Sequence, residues 1–368
     1  MRVLHLYKDY YPVVGGMENH IRMLAEGAVR HGIDVTVLVT SLSRSTEIGE
    51  TGGVRVIKAG RIASFASTPL SLDLFLWVRR LEPDIAHLHS PYPWGEIAHL
   101  MFGRSQRTVI TYQSDIVRQK NLLKLYRPFL GRILARADRV IATSPQYIQS
   151  SPHLSKVADK CVVVPLGIDL KQFQRPRTEE VRRLRSEYAP PLLLFVGIFR
   201  YYKGLEYLIQ AMRHINARLL VVGSGPMEQT WRTLVIKLGL TDKVFFVGQH
   251  VEDLPAYYQA CDLFVLPSSH RSEAFGAVQV EAMACGRAVI STELGTGTSY
   301  VNVDGETGLV VPARDSDALA EAVNRLLSDE AQRSQMGERG RKRAMQEFSS
   351  EIMIDRVQTL YSSLLEGT

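Results

Sequence analysis

Residues 263–290 read LFVLPSSHRSEAFGAVQVEAMACGRAVI. A strand-sized apolar run ends near Pro267, a helix is expected from about Gly276, and a second apolar run follows at residues 288–290. This order of strand, helix and strand predicts a parallel βαβ unit, because parallel strands need a crossover connection. The helix follows the first strand in the sequence. Unpaired backbone N–H groups and a partial positive charge at its start suit a phosphate group.

The same alternation extends over the whole chain of 368 residues. Strand-sized runs form two series, one at residues 3–7, 35–39, 85–89, 108–112, 139–143 and 162–165, the other at 192–196, 218–222, 244–247, 263–266, 288–290 and 308–311. Two such series predict an α/β fold with two Rossmann-like domains whose parallel sheets face a central cleft. We expect an N-terminal domain at residues 1–168, a second domain at 169–349, and a C-terminal helix at 350–368 that crosses back to the first domain.

Composition argues against several classes of protein. No apolar run approaches the roughly 20 residues of a membrane-spanning helix. Lys8 and Asp9 interrupt the apolar start that a secretory signal needs. Cys161, Cys261 and Cys285 are widely spaced, which disfavours a disulfide framework and a structural zinc site. We therefore expect a cytoplasmic protein with reduced cysteines.

Positive charge is concentrated in the N-terminal half. The net charge of +6 divides into +8 for residues 1–168 and −2 for the remainder, and seven basic residues face a single acidic one between Arg118 and Arg139. This basic stretch is amphipathic, with Pro128 expected to divide it into two helices. It suits anionic lipid headgroups at the inner face of the cell membrane or a lipid-diphosphate acceptor, the alternative being an ordinary solvated surface. No nucleic-acid partner is expected, because no aromatic platform accompanies the charge.

Two carboxylates lie at the helix that opens near Gly276. Glu273 precedes this helix, and Glu281 lies two turns inside it among apolar residues. Glu281 must therefore pair with a cation or accept hydrogen bonds from a ligand such as a ribose diol. The spacing alone leaves open a structural alternative, in which Glu273 caps the helix and Glu281 forms an ion pair.

Glycine and histidine residues follow the strands of the first series. Gly15 and Gly16 allow backbone amides to approach a ligand without an intervening Cβ, or else form a tight turn. His89 ends a predicted strand, where open α/β sheets bind their ligands. We expect His87 to point to the opposite face of the sheet and to be structural.

Taken together, these segments resemble the retaining glycosyltransferases of the GT-B fold, specifically glycosyltransferase family 4. Glu273 and Glu281 match the family's E-x7-E signature. The other landmarks are YPVVGGME at residues 11–18, DIAHLHSP at 84–91, VGIFRYYKG at 196–204 and DGETGLVVP at 304–312. They follow the family's order over residues 1 to about 325.

The resemblance implies a retaining hexosyltransferase that needs no cofactor and no metal. Lys203, with Arg200, would neutralise the diphosphate of a nucleotide-sugar, whereas the bare pattern of two cations also fits a solvated loop. Ile198 stands where family members often carry an arginine. The pair Asp315 and Asp317 looks like the metal-binding D-x-D of the other large glycosyltransferase fold, but it precedes an amphipathic run, so we interpret it as a helix cap.

The resemblance also implies the remaining contacts. It implies that Glu281 binds the ribose of the donor, and that Gly248 and Gln249 of the loop at residues 248–252 lie near the base. The sugar and β-phosphate would be bound by Glu273 and by the backbone of four later residues of the motif, Phe275, Gly276, Ala277 and Val278. Gly15 and Gly16 would also contact the donor. His89 would contact the transferred sugar. Gln113 stands where many relatives have histidine, and Asp115 is expected on the acceptor side.

The identities of donor and acceptor stay open at this point. GDP-sugars and UDP-sugars both fit, with a preference for mannose or a related deoxyhexose from a GDP-sugar. The acceptor, expected on the N-terminal domain, would be a hydroxyl of a glycan or of a lipid-linked acceptor in polysaccharide or glycolipid biosynthesis. The alternatives are a nucleotide-sugar epimerase or hydrolase of the same fold and a non-catalytic nucleotide-sugar-binding module.

Overall fold

The computed structural model describes residues 1–13, 15–65, 68–115, 120–249 and 253–367, with the side chains of residues 120–125 also outside the description. The chain divides into two compact units. Met1–Gly167 and the residues from Ser350 onward form the first unit, and Ile168–Ser349 forms the second. No helix among the described residues is long and apolar enough to cross a membrane.

Ten strands lie in the described part of the first unit. They are β1 (Arg2–Leu6), β2 (Asp34–Thr40), β3 (Glu47–Thr51), β4 (Val54–Ala59), β5 (Ala63–Phe65), β6 (Thr68–Leu70), β7 (Ile85–Ser90), β8 (Arg107–Tyr112), β9 (Arg139–Ala142) and β10 (Cys161–Val163). Eight form one sheet in the order β10-β9-β8-β7-β1-β2-β4-β3, and β5 pairs with β6 separately. Neighbours in the large sheet are parallel except β3 and β4.

Helices connect these strands. They are α1 (Gly16–Arg30), α2 (Leu72–Arg80), α3 (Pro93–Phe102), α4 (Lys120–Arg136), α5 (Pro145–Ser150) and, from the end of the chain, α15 (Ser350–Glu366), with a 3-10 helix at Leu154–Lys160. Pro128 lies inside α4, so the expectation that it divides this stretch into two helices is wrong. A proline removes a single helical N–H, and packing of the buried Tyr126, Leu130 and Ile133 against the domain core outweighs that loss.

The C-terminal helix α15 covers one face of the first sheet. Its Met353, Ile354 and Val357 belong to the same apolar cluster as Val3 of β1 and Ile85 of β7. Because side chains alternate along a strand, the residue two positions after Val3 and the residues two and four positions after Ile85 share this face. Those three positions are histidines, so the covered face changes from apolar to polar toward the carboxyl ends of the strands.

The second unit contains a wholly parallel sheet. Its strands are β11 (Leu192–Val196), β12 (Arg218–Val222), β13 (Val244–Gly248), β14 (Leu263–Leu266), β15 (Ala288–Glu293) and β16 (Gly308–Pro312), in the order β13-β12-β11-β14-β15-β16. All six begin at the residue expected from the sequence. The predicted α/β fold with parallel sheets in two Rossmann-like domains is thus confirmed.

Nine helices lie in the described part of this unit. They are α6 (Lys171–Gln174), α7 (Thr178–Tyr188), α8 (Leu205–Ala211), α9 (Glu228–Lys237), α10 (Leu254–Ala260), α11 (Ala277–Ala284), α12 (Thr298–Val301), α13 (Ser316–Ser328) and α14 (Glu330–Glu347), besides 3-10 helices at Tyr201–Lys203 and Met212–His214. The carboxylate of Asp315 accepts hydrogen bonds from the backbone N–H groups of Asp317 and Ala318 at the start of α13. The prediction of a helix cap at Asp315 is confirmed.

Candidate active site

The turn between β14 and α11 forms the start of the candidate donor site. Gly276 precedes α11 with φ of +75°, in the left-handed region. A Cβ at this position would lie 2.5 Å from Nε2 of Gln279 and 2.8 Å from Cδ2 of Leu266, so glycine satisfies both the backbone conformation and the packing. Within the described part of the chain no side chain caps α11, which begins with Ala277 and the partly buried Val278. Its first N–H groups are therefore suited to an anionic ligand.

The segment before α11 is anchored on both sides. Oγ1 of Thr296 donates to the carbonyl oxygen of Glu273 at 2.8 Å. The buried ring of Phe275 packs edge-on against Phe348, with ring centroids 5.8 Å apart. These contacts fix the backbone that carries the first glutamate of the pair.

Lys203 and Glu273 form a buried ion pair beside this turn. Nζ of Lys203 lies 2.7 Å from Oε2 of Glu273, and each side chain is only 10% exposed. Oγ of Ser268 donates to the same carboxylate oxygen at 3.1 Å. Burial alone would lower the pKa of Lys203, but the charge of Glu273 and the hydrogen bond to it outweigh burial and raise that pKa. The site therefore holds a charged lysine.

Two loops bring this pair together because their backbones touch. Gly204 has φ of +64°, and a Cβ there would lie 2.1 Å from the carbonyl oxygen of Pro267. The N–H of Ser269 donates to the carbonyl oxygen of Tyr202 at 2.8 Å. The loop after β11 thus packs closely on the loop after β14, and Lys203 from the first meets the carboxylate from the second.

Glu281, the second glutamate of the motif, has a different environment. The hydroxyl of Tyr258 donates to its Oε2 at 2.7 Å. Burial raises the pKa of Glu281 to about 7, against the opposing effects of the Tyr258 hydrogen bond and the charge of Lys203. The structural ion pair considered for Glu281 is absent from the ion pairs of the described residues. Its carboxyl group therefore keeps acceptor capacity for a ligand and is poised to titrate near neutral pH.

Arg200 lies in the same loop as Lys203 but in a different setting. It precedes the 3-10 helix at Tyr201–Lys203 and is exposed, as is Ile198, which stands where the family often has arginine. An exposed guanidinium is accessible to an anion without first leaving a buried partner. An anion could therefore contact Arg200 directly, whereas it would have to share Lys203 with Glu273.

The loop expected near the base follows β13. Gly248 ends β13 with φ of +82°, and its carbonyl oxygen accepts a hydrogen bond from the N–H of Gly223 at 2.8 Å. Gln249 is exposed, and its Nε2 donates to Oγ of Ser224. The rest of this loop, residues 250–252, lies outside the described residues.

In the first unit, Gly15 and Gly16 stand at the start of α1. A Cβ on Gly15 would lie 2.2 Å from Oε2 of Glu18, whereas a Cβ on Gly16 would meet nothing within 4 Å. A side chain at Gly15 would therefore displace the carboxylate of Glu18. At Gly16 nothing in the described part of the chain occupies this position, which leaves space next to the backbone for a ligand.

His89 belongs to a buried cluster of imidazoles on the face of the first sheet that α15 covers. Its Nε2 lies 2.9 Å from Nδ1 of His5, and its ring stacks on that of His87 with centroids 4.4 Å apart. Burial, followed by the neighbouring imidazoles, holds the pKa of His89 well below its usual value, so the ring is neutral. Nδ1 of His89 has no hydrogen-bond partner among the described residues.

The expectation that His87 points to the opposite face is wrong. Residues two apart in a strand share a face, and the stacked rings of His87 and His89 show this directly. The structural role expected for His87 agrees with its contacts, since Nδ1 lies 2.5 Å from the hydroxyl of Tyr361 and Nε2 lies 2.6 Å from Oγ1 of Thr111. His87 thereby links the sheet to α15.

The strand end at Tyr112 holds the expected acceptor-side carboxylate in place. Asp115 Oδ1 accepts hydrogen bonds from the Tyr112 hydroxyl at 3.0 Å and from Oγ of Ser151 at 2.8 Å. Its backbone N–H donates to the hydroxyl of Tyr147. Nε2 of the neighbouring Gln113 is buried without a partner among the described residues.

The three stacked histidines are also the one metal-like cluster found among the described residues. Ring nitrogens of His5, His87 and His89 lie within 4.8 Å of one another. Both nitrogens of His87 already contact protein hydroxyls, so a metal would have to displace one of them. The contacts present are those of a hydrogen-bonded packing arrangement.

Three residues that complete these sites were not predicted from the sequence. His5 lies opposite His87 in the register of β1 and β7, and a histidine at the centre of each of two adjacent predicted strands was the available signal. Ser268 lies two residues after the end of β14, where polar residues gather at strand ends. Tyr258 gave no signal, because only the packing of α10 on α11 brings it to Glu281.

The fold and the site define the class of this protein. Two family models match the chain in succession, "Glycosyltransferase Family 4" over residues 14–172 and "Glycosyl transferases group 1" over residues 176–343. Among solved structures, sucrose-phosphate synthase from Thermosynechococcus elongatus superposes with a TM-score of 0.82 at 27% identity, covering 100% of both chains. Anabaena HepE in complex with UDP superposes with a TM-score of 0.78 at 20% identity, covering 99% of this chain and 100% of that one, and this likeness is one of fold.

Curated relatives give the family. The chain is 40% identical to the O-antigen chain mannosyltransferase C of Escherichia coli, with 100% of both chains covered. It is 39% identical to the D-rhamnosyltransferase WbpZ of Pseudomonas aeruginosa, with 95% of this chain and 93% of the relative covered. The chain belongs to the family 4 glycosyltransferases of the GT-B fold, and the expected resemblance is confirmed.

Proposed function

We propose that the protein is a retaining, metal-independent hexosyltransferase that transfers mannose or a related deoxyhexose from a GDP-sugar to a hydroxyl of a surface polysaccharide or its lipid-linked precursor. The observation that carries this proposal is the charged group at the end of β14, where Lys203, Glu273 and Glu281 surround the free start of α11. Relatives that act as mannosyltransferase and rhamnosyltransferase support the choice of sugar.

Charge development explains why this group suits glycosyl transfer. Negative charge builds on the departing diphosphate as the bond between sugar and oxygen breaks, and a fixed cation stabilises it. Lys203 is held charged by Glu273 in a site with little water. The N–H groups at the start of α11 and the exposed Arg200 would add positive potential, so these groups take the part that a metal plays elsewhere.

The contacts of Glu273 favour a binding role over a nucleophilic one. Its Oε2 already receives Nζ of Lys203 and the hydroxyl of Ser268, which lowers the carboxylate's tendency to attack the anomeric carbon. We therefore propose that retention proceeds by attack on the same face, guided by the leaving phosphate. Glu273 would hold the sugar hydroxyls while Lys203 holds the phosphate.

Glu281 is proposed to bind the ribose. One carboxylate oxygen accepts from Tyr258, and its pKa near 7 means that the acceptor form is substantially populated at neutral pH. His89 is proposed to contact the transferred sugar, and Asp115 to act on the acceptor side. His5 and the stacked His87 would hold the neutral ring of His89 in one orientation.

To test this proposal, the protein is incubated with GDP-mannose, a GDP-deoxyhexose or UDP-glucose, with and without a mannose-terminated oligosaccharide as acceptor. Transfer to a product that keeps the anomeric configuration of the donor, read by NMR, supports a retaining transferase. Isomerised or hydrolysed sugar without acceptor would identify an epimerase or hydrolase. Donor binding without turnover would identify a binding module, and activity lost on chelation would contradict metal independence.

Peripheral contact with an anionic membrane is proposed for the basic stretch that includes α4. Its Arg127, Arg132, Arg136 and Arg139 are exposed, while the apolar side of the helix packs into the domain. Arg118 and the side chains of Lys120 and Lys124 lie outside the described residues. Contact would therefore be electrostatic, at the cytoplasmic face, and flotation with vesicles containing phosphatidylglycerol should fail at high salt.

A further inference from the structure

A basic cavity lies in the first unit between α4 and the 3-10 helix at Leu154–Lys160. It encloses about 470 Å³, within the range of small-molecule sites. Its polar lining comes from Arg127 of α4, from Lys156 of the 3-10 helix and from His153, which directly precedes that helix. None of the residues assigned to the donor site lines it.

The cavity carries a positive potential. No carboxylate appears among its lining residues within the described part of the chain, and the ion pairs of those residues include neither Arg127 nor Lys156. Burial lowers the pKa of His153. The charges of Arg127 and Lys156 lower it further, against the opposing charge of Asp115. The two exposed cations have no acidic partner there, which suits an anion.

The walls of the same cavity are apolar. Leu134 and Val157 are buried beneath it, and Pro128 lies at its edge. Gly131 adds room on the helix side, because a Cβ at this position would meet nothing within 4 Å. An anion that carries an apolar substituent would fill this cavity better than a free inorganic ion.

The cavity is connected to the expected acceptor side of the protein. The backbone N–H of His153 donates to Oγ of Ser151 at 3.4 Å. Ser151 in turn donates to Asp115 at 2.8 Å. The segment that carries His153 and the acceptor-side carboxylate are therefore joined through one serine.

We propose that this cavity binds the phosphate headgroup of a phosphorylated lipid, with Arg127 and Lys156 on the phosphate oxygens and the first carbons of the lipid against Leu134 and Val157. The identification of this lipid as part of the acceptor rests on the proposed function. The binding itself does not, since it requires neither donor nor transfer. The cavity would anchor the lipid-linked end of the acceptor while the far end of the glycan is extended.

The test uses farnesyl diphosphate as the probe, with inorganic pyrophosphate and farnesol for comparison, measured by calorimetry on the full chain. We expect farnesyl diphosphate to bind more tightly than either comparison compound. The double variant Arg127→Gln/Lys156→Gln should bind it at least about tenfold more weakly, the loss expected for two charge-assisted hydrogen bonds. Gly131→Leu, which fills the cavity without changing charge, should weaken farnesyl diphosphate more than pyrophosphate.

The matched control is Arg132→Gln/Arg139→Gln, which removes the same charge from exposed positions that do not line the cavity. Equal weakening by both double variants would overturn the proposal in favour of a diffuse basic surface. Equal affinity for pyrophosphate and farnesyl diphosphate would overturn the lipid part and indicate a soluble phosphate. GDP and UDP affinities, measured on the same variants, should be unchanged, so that failure of the donor site is distinguished from failure of this cavity.

Discussion

Nζ of Lys203 and Oε2 of Glu273 lie 2.7 Å apart, although they come from different loops. The carboxylate that we assign to the donor sugar thus supplies the counter-charge of the lysine that we assign to the diphosphate. A bound diphosphate would share this lysine. If both assignments hold, stability and donor binding are coupled through this one ion pair.

The first prediction concerns the stability of this pair. Glu273→Gln and Lys203→Met should each lower the free energy of unfolding by about 3–5 kcal/mol, because each leaves an unpaired charge in a largely buried site. The double variant should lose clearly less than the sum. Urea unfolding of the four proteins measures this, and simple additivity would show that the two residues do not interact. GDP should stabilise Glu273→Gln more than the wild type, since the diphosphate replaces the missing anion.

The second prediction separates the two cations by catalytic effect. Lys203→Gln should slow transfer by about a hundredfold or more, because it removes a charge held in a site with little water. Arg200→Gln should have a smaller effect, because the exposed Arg200 is screened by solvent. Initial rates with saturating acceptor measure both. The reverse ranking would assign the main contact with the diphosphate to Arg200. Separately, a normal transfer rate for Glu273→Gln would exclude the role given to the carboxylate of Glu273.

Glu281 should make stability depend on pH. The pKa of its carboxyl is about 7 in the folded protein and ordinarily about 4.5, so between these values the folded state holds a proton that the unfolded chain releases. Stability relative to Glu281→Gln should therefore fall as pH rises from about 4.5 to 7, by about 3 kcal/mol in all, and then level off. Unfolding of both proteins across this range tests it. A constant difference would place the carboxyl in a solvated environment.

The strands were predictable from the sequence because each is a short apolar run between turns. Four strands of the first unit, β3 to β6, were not predicted. β3 is almost entirely exposed and β5 wholly so, whereas β4 is mostly buried but its apolar residues are interrupted by Arg55 and Lys58. For the site, the motif alone indicated Glu273 and Lys203 separately. Their contact depends on the approach of Gly204 to Pro267, a backbone contact between distant segments that no local pattern encodes.

The imidazole cluster provides a prediction about α15. Tyr361→Phe removes the hydroxyl that contacts Nδ1 of His87 and leaves a buried polar atom unpaired. It should lower the free energy of unfolding by about 1–3 kcal/mol. Tyr10→Phe is the control, because the buried hydroxyl of Tyr10 has no partner among the described residues and its removal should cost little. Equal losses in thermal or urea unfolding would mean that the hydroxyl of Tyr361 contributes only by packing.

Gly276 should prove necessary for donor binding as well as for folding. Gly276→Ala forces a side chain into the left-handed region and drives its Cβ against the buried Gln279 and Leu266, which displaces the start of α11. Gly305→Ala is the matched control, since Gly305 has φ of +74° but open space around its Cβ. Both variants should lose about 1–2 kcal/mol from backbone strain, and Gly276→Ala should lose more. Only Gly276→Ala should weaken GDP binding in calorimetry, because only there do the N–H groups of α11 move; unchanged affinity would show that they do not hold the phosphate.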